Sequence, residues 1–279
     1  MKKLKYIFIL TLAVCFTQAQ AQKIVTGGSS STEIVCALGL CDNIVATDLT
    51  STYPPQMQSL PSIGYRTGIN TEGIISMAPD VIILEKEYVK DVVIEQLGAA
   101  QLNLVQVENH YGFEFTIEKI RTIAKALKRE KEGEALIQNL QTDLESLSQR
   151  VAAHSERPKV LCVYNRGMGN MMVAGSNTGF DIISLAGVEN AVPEIEGFKP
   201  LNVESLISTN PDYILFFESG LESIGGIEGA LKIPGVAQTT AGRKKQIIAI
   251  DGVKLTNWGP RLAEAATELF DLTHQVSND

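Results

Sequence analysis

Asn70-Thr71-Glu72-Gly73-Ile74-Ile75-Ser76-Met77-Ala78-Pro79-Asp80-Val81-Ile82-Ile83 aligns without gaps to Asn202-Val203-Glu204-Ser205-Leu206-Ile207-Ser208-Thr209-Asn210-Pro211-Asp212-Tyr213-Ile214-Leu215. Seven of the fourteen positions are identical, at an offset of 132 residues. A proline after a short helix, followed by a β-rich run, is a common connection and accounts for Pro-Asp and the apolar residues behind it. It does not account for the shared Asn-x-Glu prefix. A second, looser pair joins residues 31–39 to residues 179–187. Copies separated by about half the chain describe two similar lobes rather than a solenoid of short units.

Outward from the repeat, strands and helices alternate. Lys23–Thr26 reads as a strand, Gly27-Gly28-Ser29 as a turn, and Ser30–Leu38 as a capped helix stopped by Gly39. Ile44–Thr47, Asp80–Leu84 and Leu104–Val107 follow as strands, and Lys159–Tyr164, Tyr213–Phe217 and Gln246–Ile250 repeat the pattern in the second half. Asp181–Ala186 and Arg261–His274 read as helices. Such alternation builds parallel sheets from βα units. Phe115 to about Ala153 differs: its apolar residues recur at helical spacing, with no proline and a single glycine, Gly133. It reads as one or two helices long enough to cross the molecule. In open α/β sheets ligands sit beyond the carboxyl ends of the strands, so the cleft between the lobes is the expected site.

Composition sets the class. The 279 residues are 44% hydrophobic and 20% charged, which is ordinary for a globular chain and unlike a disordered or polytopic membrane protein. Lys2, Lys3 and Lys5 precede an apolar run from Tyr6 to Phe16 and the small residues Ala19 and Ala21. This predicts a signal peptide over residues 1–21, cleaved before Gln22, and a periplasmic destination. Leu12-Ala13-Val14-Cys15 faintly resembles a lipoprotein box, but Val14 is bulky before the cysteine, which disfavours a lipid anchor. Cleavage leaves 21 basic against 32 acidic residues, a net charge of −11. That balance argues against a general nucleic-acid binder. Cys36, Cys41 and Cys162 remain, none at zinc-site spacing. Cys36 and Cys41 are near enough to bridge in an oxidising compartment, although burial as two small hydrophobes is the preferred reading.

Enzyme signatures are few. There is no Walker loop, no Gly-x-Ser-x-Gly and no His-Glu-x-x-His. Of the three histidines, His154 and His274 read as solvated helix ends, and His110 follows a strand where it can face the cleft. A binder is expected rather than a chelatase or hydrolase.

Several stretches together resemble the periplasmic haem-binding proteins of bacterial haem ABC importers. That branch belongs to a wider class that also carries cobalamin and siderophores. The stretches are residues 27–39, Asp48-Leu49-Thr50-Ser51-Thr52-Tyr53-Pro54-Pro55, Leu60–Arg66, the Glu72 repeat, Asn165-Arg166-Gly167, Glu196–Leu201 and Asn257-Trp258-Gly259-Pro260-Arg261. Thr50–Pro55, with Gly64-Tyr65 following, points to the haem branch over cobalamin and ferric siderophores. The resemblance implies an α/β fold of two lobes, each a mostly parallel sheet flanked by helices, joined by one long interlobe helix. The corresponding segments are residues 22–113, 114–157 and 158–279.

It also implies a function: a monomer that captures ferric haem b in the cleft and delivers it to an ABC importer permease dimer. Tyr65 is the expected iron ligand, because phenolate is a hard donor suited to ferric iron. In the family an arginine stands two residues after that tyrosine. Here that position is Thr67, and Arg66 stands one residue early. Adjacent residues of an extended loop point opposite ways, which puts the reach of Arg66 to the phenolate in question. Tyr53, stiffened by two prolines, is the competing ligand. Some relatives place a histidine at the position of Arg166, which instead suits a haem propionate. Met168, with Met171 and Met172 behind it, can lie on a porphyrin face or fill core. Phe198, Lys199 and Trp258 are further cleft residues, Trp258 with the alternative of a turn anchor. Glu72 and Glu204, at equivalent places in the two lobes, are implied to dock on arginines of the permease dimer, a matched pair for a twofold partner.

Overall fold

The computed structural model describes residues 22–274, apart from Arg166 and the side chain of Thr67. The leader expected over residues 1–21 lies outside the described residues. Among the described residues no helix is long and apolar enough to cross a membrane.

Strands β1 (Ile24–Gly27), β2 (Ile44–Thr47), β3 (Val81–Glu85) and β4 (Leu104–Val107) form one parallel sheet in the order β2-β1-β3-β4. Every residue of β3 is buried. Helices over both faces demand such an unbroken apolar strand, here Val-Ile-Ile-Leu. The second sheet holds β5 (Lys159–Asn165), β6 (Met171–Ala174), β7 (Glu189–Asn190), β8 (Phe198–Pro200), β9 (Tyr213–Phe217) and β10 (Ile247–Ile250). Its order is β10-β9-β5-β6-β8, with β7 also beside β5. The strands β10, β9, β5 and β7 run parallel, whereas β6 and β8 are antiparallel. The second lobe is therefore a mixed sheet at one edge.

The first helices are α1 (Ser29–Val35), α2 (Thr71–Ser76), α3 (Asp91–Ala99), α4 (Phe113–Ala126), α5 (Glu130–Ala152) and α6 (Val203–Thr209). The internal repeat does the same structural work twice. Asn70 caps α2 by accepting from Gly73 N at 3.2 Å, and Asn202 caps α6 by accepting from Ser205 N at 2.9 Å. Asp80 then accepts from Lys23 N at 2.7 Å, and Asp212 from Lys159 N at 2.9 Å. Each aspartate thus ties the strand that follows it to the first strand of its own lobe.

Between the lobes α4 leads into α5, the one long helix that packs on both. Lys128, at φ 56°, turns the chain between α4 and α5. The 23 residues of α5 span about 34 Å at 1.5 Å per residue. Gly133 explains itself here: a Cβ would stand 2.6 Å from Ala124 Cβ, so its absence lets α5 lie close on α4. One continuous core joins Ile34 and Leu38 of the first lobe, Ile120, Ile137 and Leu147 of these helices, and Cys162, Phe180, Leu262 and Leu269 of the second. The lobes share a floor rather than a bare tether.

Cys36 and Cys41 form a disulfide, with Cα atoms 4.0 Å apart. This corrects the reading as two unbonded hydrophobes. Gly39, at φ 79°, folds the chain back after α1 and brings the pair together. Cys162 is buried and free.

Candidate functional site

A cavity of about 800 Å³ lies between the lobes, within the range of small-molecule and cofactor sites. Its walls come from the carboxyl ends of the strands. Ser29 follows β1, Thr50 and Thr52 follow β2, Glu85 ends β3 with Tyr88 just beyond, and Asn109 and Tyr111 follow β4. Tyr65 and Arg66 complete the polar wall of the first lobe.

The second lobe supplies an apolar wall of Tyr164, Met172, Phe180, Phe198 and Phe217, with Asp251–Val253 and Asn257 below. Phe180 and Phe217 stack at 5.1 Å between centroids, and Tyr164 meets Phe198 and Phe217 edge-on at 5.9 and 5.7 Å. Gly252 makes room for this cluster, since a Cβ there would stand 2.6 Å from the Phe217 ring.

The polar wall is built on two saturated carboxylates. Asp48, 3% exposed, accepts from Gly28 N, Ser51 Oγ, Thr50 N, Thr50 Oγ1 and the Tyr88 hydroxyl. Glu85, also buried, accepts from Ser30 Oγ, Ser31 N and Ser31 Oγ, and Lys119 Nζ reaches Ser30 Oγ at 2.7 Å. Burial and the Asp48 charge push the Tyr88 phenol well above the ordinary tyrosine range. Tyr88 is therefore a neutral donor. The Tyr65 and Tyr111 hydroxyls have no hydrogen-bond partner among the described residues, and both side chains are exposed.

Arg66 departs from the extended loop on which its reach was doubted. Its φ is 43°, and the turn closes through Gly68 N on Tyr65 O at 2.8 Å. This folds the guanidinium back to 5.7 Å from the Tyr65 ring centroid and 5.2 Å from that of Tyr88. Thr67 belongs to the same turn. Arg166 lies outside the described residues.

Four expected residues stand elsewhere. Tyr53 does not line the cavity; the Arg261 guanidinium covers its ring at 3.7 Å. Trp258 is buried under the cleft as an anchor, with Nε1 donating to Gly179 O at 3.1 Å and its carbonyl accepting from Thr116 Oγ1 at 2.9 Å. Met168 is exposed and off the wall, where Met172 stands instead. His110 turns to Glu108 at 3.6 Å and to the edge of Phe115. His154 and His274 are not simply solvated: both rings pack on Phe270. Phe198 does line the cavity.

Tyr88, Tyr111, Tyr164 and Phe217 were not singled out from the sequence. All four lie in the last two residues of a strand or follow one within four, a signal that the strand-end rule already carries.

Glu72 and Glu204 stand exposed in the first turns of α2 and α6. The asparagines perform the capping, and neither glutamate has a hydrogen-bond or ion-pair partner among the described residues.

The periplasmic binding protein family model matches residues 24–253. Among solved structures, the periplasmic haem-binding protein RhuT from Roseiflexus sp. RS-1, in its apo form, is 35% identical. The likeness covers 91% of this chain and all of that one, with a TM-score of 0.85. An uncharacterised ABC transporter substrate-binding lipoprotein, YvrC of Bacillus subtilis, is 24% identical over 90% of this chain and 80% of its own. The vitamin B12-binding protein of Vibrio campbellii is 26% identical over 75% of this chain and 76% of its own.

Proposed function

Because the chain belongs to the periplasmic binding protein family, we propose that it captures ferric haem between its lobes and delivers it to an ABC-type permease dimer. The observation that carries this reading is the Tyr65 hydroxyl, unpartnered on one wall of the cavity, with an aromatic wall on the opposite lobe. Ferric iron is a hard cation and takes a phenolate oxygen. The macrocycle buries its apolar face against Phe180, Phe198, Phe217 and Met172, where each Å² removed from water contributes about 25 cal/mol. Tyr88 does not compete for the iron, because its hydroxyl is spent on Asp48. Arg66 supplies a positive charge beside the bound phenolate. The chain acts as a monomer in this reading, and Glu72 and Glu204 meet the permease.

The likeness to the haem-binding structure is higher in identity and coverage than the likeness to the B12-binding protein. The latter nevertheless gives a specific rival, a cobalamin that enters the same cleft without a phenolate ligand. A titration of the purified protein with ferric haem and, separately, with cobalamin divides the two. The expected result is a saturable tyrosinate-type high-spin spectrum with haem, lost in Tyr65→Ala. A saturable spectrum that survives in Tyr65→Ala moves the ligand, first to Tyr111. Saturable cobalamin binding with none of haem overturns the haem reading.

A further inference from the structure

One guanidinium serves two rings: Arg66 Cζ lies 5.7 Å from the Tyr65 centroid and 5.2 Å from the Tyr88 centroid. The two rings are not equally fixed. Tyr65 is 42% exposed and Tyr88 only 5%. The Tyr88 hydroxyl donates to Asp48 and lies 3.1 Å from Thr50 Oγ1. Asp48 is itself held by the backbone of Gly28 and by Ser51. That network runs from the β1 turn through the β2 loop to Tyr88. A surface arginine carries about 2 kcal/mol of rotamer entropy. Only a partner that is already immobile can hold it without a second ordering cost. Tyr65 does not meet that condition, and Tyr88 does.

The geometry points to Tyr88 as the positioning residue of the haem site: its buried ring holds the Arg66 guanidinium beside Tyr65 before ligand arrives. This rests on the reading of Tyr65 as the iron ligand. The backbone does part of the work. Arg66 sits in the left-handed region, which is costly for a residue with a Cβ. That conformation aims its side chain back along the turn, and the Tyr88 face receives it. A cation over an aromatic face is attracted by the ring quadrupole and not by the hydroxyl, so the ring is the part of Tyr88 that matters to Arg66. The hydroxyl matters to Asp48, which keeps four other donors without it.

Two readouts test this. The first needs no haem: the Arg66 side-chain Nε–Hε resonance of the apo-protein, assigned by its loss in Arg66→Met, is expected to carry a ring-current shift. That shift shrinks in Tyr88→Leu, to no more than Tyr65 contributes, and is restored in Tyr88→Phe. The second is transfer of ferric haem from the loaded protein to apomyoglobin. Tyr88→Leu is expected to release haem about tenfold faster, the factor that 1.4 kcal/mol represents. Tyr88→Phe brings the rate back toward wild type, and Tyr88→Leu/Arg66→Met releases no faster than Arg66→Met alone. If Tyr88→Leu fails to fold, Tyr88→Met, which fills more of the volume, takes its place. An Arg66 resonance unmoved by loss of the ring overturns the proposal. So do additive rates in the double variant, or a Tyr88→Phe variant as impaired as Tyr88→Leu. Wild-type protein that takes up no ferric haem overturns the functional reading instead, while the apo resonance alone still decides whether Tyr88 holds Arg66.

Discussion

Arg261 grips Glu33 across the two lobes, with Nε 2.8 Å from Oε2 and Nη2 2.6 Å from Oε1. Glu33 is 3% exposed and takes a third bond from Asn257 Nδ2 at 3.0 Å. Burial raises the Glu33 carboxyl above its ordinary range, opposed by hydrogen bonds from Arg261 and Asn257. Arg261 also lies over Tyr53, so one side chain ties α1, the β2 loop and the start of the C-terminal helix Leu262–Thr273. A lysine cannot reproduce two parallel bonds to one carboxylate. Arg261→Met, which leaves Glu33 buried without its cation, is expected to cost about 3 kcal/mol, and Arg261→Lys, which keeps the charge, less. Urea unfolding measures it. A double variant, Glu33→Gln/Arg261→Met, should lose less than the sum of its two single changes.

Lys119 presents a second buried charge, on α4, only 2% exposed. Its ammonium reaches Glu85 through Ser30, whose hydroxyl donates to Glu85 Oε1 at 2.7 Å while facing Lys119 Nζ at 2.7 Å. Lys119→Met removes the cation and leaves the buried carboxylate of the cavity wall without it. The expected loss is roughly 3 kcal/mol, or about 8 °C in melting temperature for a chain of this size. Adding Glu85→Gln should recover part of it, and calorimetry of the three variants decides. A Lys119→Met protein that melts with wild type would remove the pair from the account of stability.

The strands with full apolar runs were legible because burial on both faces writes itself into consecutive residues, as in Val81–Leu84. The strands β6, β7 and β8 were not. Phe198–Pro200 is exposed at every position, and Glu189–Asn190 has only two residues. Their identity rests on pairing with distant partners, such as Val173 with Lys199, which no local pattern encodes. The site divides in the same way. The place of Tyr65 on the cavity wall was legible from its stretch of sequence, and the cleft from the strand-end rule. Tyr88 was not, because its importance lies in Asp48, forty residues away and met only in three dimensions. The backbone at Arg66 was not legible, because a positive φ at a residue with a Cβ has no reliable sequence signal.

His274 stacks on Phe270 at 4.5 Å, with His154 edge-on at 5.5 Å. Burial first, then the charge of His154, lowers its affinity for a proton, against the opposing hydrogen bond to Phe270 O. The neutral imidazole is thus the form that suits the folded state. A histidine with a depressed folded pKa contributes stability above its unfolded value, near 6.5. That contribution is lost as pH falls from there through the lower folded value, because the unfolded chain takes the proton first. Unfolding free energies between pH 8 and pH 5 should therefore fall for wild type. His274→Phe, which keeps the stack, should flatten that slope. An unchanged slope would assign the acid loss to other groups.

Glu72 and Glu204 carry the last expectation. Each is exposed in the first turn of a helix whose cap is supplied by an asparagine, so neither is needed to finish its own helix. A negative charge there gains only about 0.3–1 kcal/mol from the helix dipole. Replacing one by alanine should leave the melting temperature within about 2 °C, the effect usual for surface substitutions. Reversing both charges, Glu72→Arg/Glu204→Arg, should leave ferric-haem affinity unaltered, because neither side chain lines the cavity. Permease-dependent haem uptake into proteoliposomes is expected to drop at least tenfold at low salt. The single reversals should fall between, and their deficits should shrink as ionic strength rises, because exposed charges act mainly on encounter and are screened by salt. Uptake at the wild-type rate with both charges reversed would remove the pair from docking and leave two solvated helix ends.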